Sequence, residues 1–471
     1  MCGEMCHTIV LGGGVCGLAA AMMLARDGHR VTVLERDPAS LPADPEAAWE
    51  RWRRDGVVQF RQAHYLQPLG RRVLEAELPE VLDGFVAAGA YRFDPIAEAL
   101  PAGIADRAPR EDDERFVTHT GRRTTFEWAF ARAAETEPGV EIRRGIDVTA
   151  LETRRADGRV LVTAVRTDAG ERLAADLVID AMGRGSALPK LLAAAGGDPV
   201  HEESEDTGFL YYTRFFRGEV PKPRGPINTA IGSFSILTLP GDNGTWSITL
   251  YASAGDQPLK VLRDPVKWTA LVRACPRHAH WLDGGEPITP VMAMGGVVDR
   301  VRSLNGNGAG PALGVLSLGD AWACTNPSMG RGMALGLVHA GILRRVVREH
   351  GDQPVELVSS FAAATDTELR PWYDSTVLVD RSRMAEIIAL RNGETPVASE
   401  HIGARIGRAL GPAMSRDPDV FRAGLEISSC LSLPRDVFTR PGFAERVFTA
   451  AGGAEPVSFG PNREALLTLL R

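Results

Sequence analysis

The chain has 471 residues, with 53 Lys and Arg against 60 Asp and Glu, and a formal net charge of −7. This length allows two or three lobes and a large buried core. Because no basic stripe is visible, the composition argues against a nucleic-acid partner. The apolar runs are short and no basic stretch precedes one at the N-terminus, so we expect a cytoplasmic protein without transmembrane helix or signal peptide.

Six cysteines are spread along the chain, and in a long cytosolic protein they do not imply disulfides. Cys2, Cys6 and His7 lie close together, but no second pair of ligands completes a site. We therefore predict no metal.

The first 37 residues carry a strand–turn–helix–strand pattern. Residues 8–11 and 30–34 are apolar and β-branched, which predicts two strands, and residues 18–27 are rich in Ala, Leu and Met, which predicts a helix. Gly12, Gly14 and Gly17 fit the spacing G-x-G-x-x-G, and Val15 and Cys16 complete the loop. Glu35 and Arg36 follow the second strand, about 20 residues further on, where a ribose-binding acid is expected.

This pattern predicts a dinucleotide site. Gly12 allows the tight turn, Gly14 lets a pyrophosphate approach the backbone, and Gly17 lets the helix pack close to the sheet. The helix N-terminus offers free N–H groups and a positive dipole end to the phosphates. The carboxylate of Glu35 would repel a 2′-phosphate, which favours FAD or NAD over NADP.

The rest of the chain alternates between helical and strand patterns. Helices are predicted at residues 46–54, 66–90, 122–137, 266–275 and 333–350, and beyond residue 355 with joints at Pro371, Pro396, Pro412, Pro434 and Pro441. Residues 140–142, 147–153 and 159–166 predict a meander with a turn at Asp157-Gly158, and residues 177–181 and 313–318 predict buried strands. Residues 209–217, 234–239 and 246–251 predict an antiparallel sheet with one face on a pocket, and residues 291–301 predict another strand.

Two further motifs follow the glycine fingerprint at wide spacing. Asp180 and Gly183 belong to the segment DAMGRGS at residues 180–186, and Gly319-Asp320 precedes a loop and a long helix. The three motifs, spread over residues 7–350, resemble the single-component flavoprotein monooxygenases of the para-hydroxybenzoate hydroxylase fold. The mid-chain segment is most similar to that of the squalene-epoxidase-like branch.

The resemblance implies a non-covalent FAD and a role for each matching residue. Asp320 would hold a ribityl hydroxyl, and Asp180 and Gly183 would touch both FAD and NAD(P)H. Five residues would lie against the isoalloxazine ring or at the start of the long helix that follows this loop. They are Gly319, Pro327, Gly330, Gly332 and Met333. Arg61 and Arg123 match arginines that help to hold FAD. The sequence departs from the family at the mid-chain segment, which lacks an Ala-Asp-Gly core, and at Met329, where a glycine is usual.

We therefore expect an α/β fold with a Rossmann-like FAD-binding domain, an inserted antiparallel-sheet substrate domain and a helical C-terminal region. The FAD-binding domain would comprise residues 1–75, 116–200 and 301–350. Residues 76–115 and the sheet at 201–300 would form the substrate side. Residues 351–471, which carry no cofactor motif, would be helical and cover that side.

The resemblance also implies the reaction. Since only one fingerprint is present, NADPH or NADH would act as a transient reductant, and O2 as co-substrate would form a flavin C4a-hydroperoxide. The product would be a hydroxylated or epoxidised lipophilic small molecule, of the kind made in secondary metabolism. No residue is assigned as catalytic. The candidate substrate contacts are Tyr211, Tyr212, Arg214, Phe234 and Tyr251, of which about half should face away because side chains alternate along a strand.

Two alternatives remain open from the sequence. One is an FAD-dependent reductase of an isoprenoid-type double bond, and the other is a flavin-binding sensor or carrier without turnover. The sequence sets neither the substrate nor the oligomeric state.

Overall fold

A computed structural model describes residues 6–156, 158–206, 208–303, 310–395, 400–452 and 459–471. Its strands are β1 His7–Leu11, β2 Arg30–Glu35, β3 Ala63–Tyr65, β4 Tyr91–Phe93, β5 Thr118–Arg122, β6 Val140–Arg144, β7 Val148–Ala156, β8 Arg159–Thr167, β9 Arg172–Ala174, β10 Leu177–Asp180, β11 Glu202–Glu205, β12 Phe209–Gly218, β13 Asn228–Ile231, β14 Phe234–Pro240, β15 Thr245–Ser253, β16 Gly285–Pro287, β17 Met292–Met294, β18 Asp299–Arg302, β19 Val315–Ser317 and β20 Ala323–Cys324.

Helices occupy most of the remaining chain. They are α1 Val15–Arg26, α2 Pro45–Arg51, α3 Pro68–Glu77, α4 Pro79–Ala87, α5 Pro95–Ala99, α6 Arg123–Thr136, α7 Leu188–Ala194, α8 Pro265–Arg273, α9 Gly332–His350, α10 Pro354–Glu368, α11 Arg370–Arg391, α12 Ile402–Met414, α13 Pro418–Ser428, α14 Pro434–Phe438, α15 Phe443–Ala451 and α16 Arg463–Leu470.

A parallel sheet of five strands, in the order β19-β10-β1-β2-β6, organises the fold. Four of its strands are largely buried because α1, α6 and α9 pack against the sheet in the main hydrophobic core, whereas the edge strand β6 is partly exposed. Leu11 pairs with Asp180, and Asp180 pairs with Ser317. The three strands that precede the three motifs therefore end side by side, at the carboxyl edge where ligands bind in such sheets.

The second large sheet is antiparallel, in the order β13-β14-β15-β12-β16, with β17 paired to β12. Its apolar face carries the stacked rings of Phe216 and Trp246 and packs against Trp268 of α8. Leu466 and Leu470 of α16 complete this core, so the end of the chain returns to the sheet.

Several sequence predictions differ from the structure. Residues 140–142 do not begin the meander but form the edge of the parallel sheet, and β7, β8 and β9 make the meander. The predicted helix at residues 66–90 is two helices, because Pro79 cannot continue the first. The predicted strand at residues 291–301 is split into β17 and β18, which belong to different sheets, by Gly295 and by Gly296 with φ +69°.

The C-terminal region is helical, as predicted. Pro371 lies in the first turn of α11, directly after the junction with α10 and where its missing N–H costs nothing, whereas Pro412 lies inside α12 and is not a joint between helices. Cys2, Asp157 and Pro396 lie outside the described residues. Within the described ranges, no helix is long and apolar enough to cross a membrane, and no cluster of metal ligands is found.

Candidate active site

A cavity of about 670 Å³ runs along the carboxyl edge of the parallel sheet. One end is lined by the glycine fingerprint and by Asp320, and the other by β14 of the antiparallel sheet and by α13. One continuous space therefore connects the fingerprint with the predicted substrate side.

The three fingerprint glycines have different surroundings. Gly12 has φ +106°, and a Cβ there would lie 2.5 Å from the carbonyl oxygen of Ala181. A Cβ at Gly17 would lie 2.1 Å from the carbonyl oxygen of Gly12, so the helix can start only because Gly17 has no side chain. Gly14 lines the cavity, and a Cβ there would meet nothing within 4 Å. This open space beside the uncapped first turn of α1 fits a pyrophosphate.

The other residues of the loop also line the cavity. Val15 and Cys16 are both found there. A Cβ at Gly336 of α9 would lie 2.2 Å from the Cys16 sulfur, so the thiol fills the contact between α1 and α9. Burial raises the pKa of Cys16 to about 12, which keeps it a packed thiol.

Glu35 belongs to a buried ion network that the sequence did not reveal. Its carboxylate accepts hydrogen bonds from the backbone N–H groups of Gly13 and Asp37, each at 2.8 Å. Arg54 donates to Glu35 at 2.6 Å and to Asp37 at 3.2 Å. Because Oε1 of Glu35 accepts only the Asp37 N–H among the described residues, it keeps capacity for a ribose hydroxyl.

Arg54 lines the cavity, whereas the predicted Arg61 does not. Arg61 donates to the carbonyl oxygens of Trp49 and Trp52, and its guanidinium lies over the Trp49 ring. It therefore organises the segment after α2. Nothing in the sequence distinguishes Arg54 from the other arginines of this segment.

Arg123 lines the cavity. It donates to Glu127 at 2.6 Å and hydrogen-bonds Nε2 of His64 at 3.0 Å. Burial and the neighbouring Arg123 hold the pKa of His64 well below its usual range. His64 is thus a neutral wall residue fixed by Arg123. Arg36, Gly183 and Arg184 also line the cavity.

The mid-chain Asp180 faces the protein and does not line the cavity. Its carboxylate accepts from Ser186 at 2.6 Å and from the backbone N–H of Met182 at 3.1 Å. Burial raises its pKa. Asp180 therefore stabilises the turn that brings Gly183 to the cavity.

Gly319 and Asp320 form a short 3-10 turn, Gly319–Ala321, at the cavity wall. The Gly319 N–H donates to Nδ1 of His339 on α9 at 3.1 Å. The Asp320 carboxylate has no hydrogen bond to any residue that the structure describes. Burial raises its pKa, with Arg123, Arg184 and Arg300 opposing that shift. An acceptor left open toward the cavity fits a ribityl hydroxyl.

The turn Pro327–Met329 and the start of α9 close this side of the cavity, where Pro327, Gly330, Gly332 and Met333 line it. Gly330 has φ +62°. Gln67 donates to the Met329 carbonyl at 3.0 Å, and Ser328 donates to Asp380 at 2.6 Å. Met329 does not have positive φ, so a side chain fits where the family has glycine.

None of the predicted substrate contacts lines the cavity. Tyr211 stacks on Tyr251 and donates to Asn326, Tyr251 donates to Asn228, and Tyr212 and Phe234 pack in the core of the sheet. Arg214 donates to the Thr289 carbonyl oxygen. The side chains at the substrate end are Tyr65, Phe93, Asn228, Leu237, Leu239, Met294, Met414, Phe421, Leu425 and Ser428.

The sequence missed these lining residues for two reasons. Alternation along β14 places Leu237 and Leu239 on one face but does not tell which face meets the cavity. Phe421 and Leu425 come from α13, far along the chain, and the expectation that the tail covers the substrate side did not name them.

The chain is similar to several known proteins. The model of the family described as FAD dependent oxidoreductase matches residues 7–44. Protein Rv3254 from Mycobacterium tuberculosis (strain ATCC 25618 / H37Rv) is 28% identical over 391 residues, which cover 76% of this chain and 77% of that protein. Kynurenine 3-monooxygenase from Salinispora arenicola (strain CNS-205) is 30% identical over 182 residues, which cover 38% of this chain and 36% of that enzyme.

Solved structures share the fold. PqsL from Pseudomonas aeruginosa superposes with a TM-score of 0.57 at 18% identity, covering 82% of this chain and 96% of its own. A variant of 2-methyl-3-hydroxypyridine-5-carboxylic acid oxygenase gives 0.53 at 20% identity, covering 80% and 91%. A variant of the flavin-dependent brominase Bmp2 gives 0.57 at 14% identity, covering 89% and 98%. The chain thus has the fold of the FAD-dependent monooxygenases related to para-hydroxybenzoate hydroxylase and begins with the segment typical of an FAD-dependent oxidoreductase, which confirms the predicted fold class and FAD as the cofactor.

Proposed function

We propose that the protein is an NAD(P)H-dependent monooxygenase that places one atom of O2 on a lipophilic small molecule, by hydroxylation or epoxidation. The observation that carries the proposal is the single cavity of about 670 Å³ that joins Gly14 and Asp320 to an apolar chamber under α13. A dinucleotide bound along the half of the cavity that Gly14 and Asp320 line, which we call the cofactor half, would place its reactive ring at the entrance to the apolar chamber.

The cofactor half offers a fitting contact for each part of FAD. The first turn of α1 would receive the pyrophosphate, Oε1 of Glu35 a ribose hydroxyl, and Asp320 a ribityl hydroxyl. The N-terminus of α9, beside Gly332 and Met333, would stabilise negative charge on the reduced ring. When bound, FAD supplies the activation of oxygen.

The chamber half is suited to an uncharged substrate. Phe93, Leu239, Met294 and Phe421 wall it, while Asn228 and Ser428 supply polar groups. The charged residues that line the cavity lie around the cofactor half; they are Glu35, Arg36, Asp37, Arg54, Arg123, Glu127, Asp147, Arg184 and Asp320. The apolar wall would exclude water from the reactive end of the cofactor.

The reductant would bind only transiently, without a dinucleotide domain of its own. The chain carries one dinucleotide fingerprint, which FAD would occupy, so NADPH or NADH would bind transiently at the surface of the same domain.

The test combines a substrate screen with an oxygen label. Uncharged polycyclic and isoprenoid compounds that accelerate NADPH or NADH oxidation would be incubated under labelled dioxygen, and the products analysed by mass spectrometry. We expect one labelled oxygen atom in the product and no product without oxygen. Product formed anaerobically and without label would instead support the reductase of an isoprenoid-type double bond. A protein that binds FAD but oxidises neither nucleotide would support the sensor or carrier.

A further inference from the structure

A buried carboxylate lies directly behind the turn that lines the cofactor half of the cavity. Asp380 of α11 is 1% exposed, and its Oδ1 accepts a hydrogen bond of 2.6 Å from Ser328. Ser328 lines the cavity, whereas Asp380 does not. The serine therefore stands between Asp380 and whatever ring occupies this part of the cavity.

A second carboxylate and one cation face Asp380. Asp299 of β18 accepts from the backbone N–H of Asn326 at 2.6 Å, in the same loop as Ser328. Arg331 precedes α9, but its N–H groups donate to Thr376 and to the Ile427 carbonyl oxygen rather than to a carboxylate. The local charge is therefore not balanced by a direct ion pair with Asp380.

The remaining titratable groups near Asp380 come from the antiparallel sheet and from α11. Tyr211 donates to Asn326 and stacks on Tyr251, and burial raises the pKa of both phenols. Arg383 donates to the carbonyl oxygens of Gly232 and Phe234. Neither phenol titrates near neutral pH, so neither changes the charge of this cluster there.

The pKa of Asp380 agrees with this placement. Burial, reinforced by the charge of Asp299, raises it to about 7, against the opposing effects of Ser328, Asn326 and Arg331. A carboxyl group with such a pKa changes its protonation with small changes in the charge of its surroundings.

We propose that Asp380 takes up a proton from water when the flavin against the Ser328 turn is reduced, and so acts as a positioning residue that couples reduction to protonation. The inference rests on the proposed function. Hydride transfer from the nicotinamide brings two electrons and one proton to the flavin and leaves it with one negative charge. A second negative charge behind Ser328 is then unfavourable, and protonation of Asp380 removes it. By linkage, an ionised Asp380 makes the flavin harder to reduce.

The test is the midpoint potential of the bound flavin as a function of pH, measured by dye equilibration from pH 6 to 8.5. We expect the potential of the native protein to fall more steeply with pH than that of Asp380→Asn. The two potentials should converge near pH 6, and Asp380→Asn should have the higher potential at pH 8. Asp380→Glu, which keeps a titratable group, should restore the steeper slope. Asp374→Asn, on the exposed side of the same helix, is the matched control and should behave like the native protein.

A second measurement does not depend on the variants. Proton uptake on electrochemical reduction in weak buffer at pH 8, with the counter electrode in a separate compartment, should exceed one proton per flavin in the native protein. Equal potential slopes in the native protein and Asp380→Asn, or an uptake of one proton at pH 8, would overturn the inference. A protein that holds no FAD would overturn the proposed function as well, whereas these results in FAD-loaded protein overturn only the inference.

Discussion

The guanidinium of Arg54 donates to the Glu35 carboxylate at 2.6 Å and lies 3.6 Å from that of Glu127. Asp37 is a third carboxylate on the same cation, at 3.2 Å. The four side chains come from β2, the segment after it, the segment after α2, and α6. One buried arginine therefore holds together the cofactor end of the cavity.

Replacement of Arg54 by Met should be costly, because three buried carboxylates would lose their common cation. We expect the free energy of unfolding to fall by about 3–5 kcal/mol in urea titrations. Arg143→Met is the matched control, since Arg143 forms an exposed pair with Glu171 and should lose less than about 1 kcal/mol. Equal effects of the two substitutions would contradict a central role for Arg54.

The fingerprint glycines should separate folding from cofactor binding. Gly14→Val places a side chain in open space, so the apoprotein should lose no more than about 1 kcal/mol of stability but retain no FAD. Gly17→Ala brings a Cβ against the backbone of Gly12 and should destabilise the apoprotein itself by roughly 1–3 kcal/mol. Thermal melts of the apoprotein measure the change in stability, and the FAD absorbance of the purified protein measures how much cofactor is retained. A full complement of FAD in Gly14→Val would show that the phosphates lie elsewhere.

Asp320→Ala should weaken FAD binding while the chain stays folded. A hydrogen bond to a charged acceptor contributes about 1.5–3 kcal/mol, which corresponds to roughly ten-fold to a hundred-fold in the dissociation constant. Fluorescence titration of FAD into apoprotein measures the change. Asp352→Ala, at an exposed position, should leave the constant as it is. A constant unchanged in Asp320→Ala would remove Asp320 from the site.

Acidification should destabilise the fold through His339. Its Nδ1 accepts a hydrogen bond from the Gly319 N–H, and its Nε2 hydrogen-bonds Thr365 at 3.1 Å. A second proton on the ring would therefore have to go on Nδ1, where it would face the Gly319 N–H. Burial lowers the pKa of His339 to about 3, so the unfolded chain binds more protons below pH 6.5 and stability is lost as pH falls. Its share is about 2 kcal/mol between pH 7 and 5.

The measurement is the free energy of unfolding in urea at pH 5, 6 and 7 with saturating FAD. His339→Gln should show a shallower dependence on pH than the native protein. The exposed His201→Gln is the control and should keep the native slope. His278 and His119, whose pKa values burial lowers to about 3 and about 4, add to the same trend in all three proteins. An unchanged slope in His339→Gln would refute this account.

The sequence predicts local features of this site well and long-range ones poorly. The fingerprint is a contiguous signal, so β1, α1 and β2 lie within three residues of their predicted bounds. Arg54 and Arg61 are indistinguishable in the sequence because only the path of the chain after α2 decides which one reaches the cavity. Tyr211 and Phe234 were expected at the pocket because a strand pattern gives the period of the side chains but not the face that a cavity uses.

The order of strands in the parallel sheet affects how the protein is made. The fingerprint leaves the ribosome about 300 residues before β19, the strand that Gly319 and Asp320 follow. At typical rates of elongation this delay is on the order of 15 to 60 s. The cofactor site cannot be complete during that time, and the edge of β10 remains without its neighbour β19. A nascent chain stalled before residue 315 should therefore bind chaperones rather than FAD.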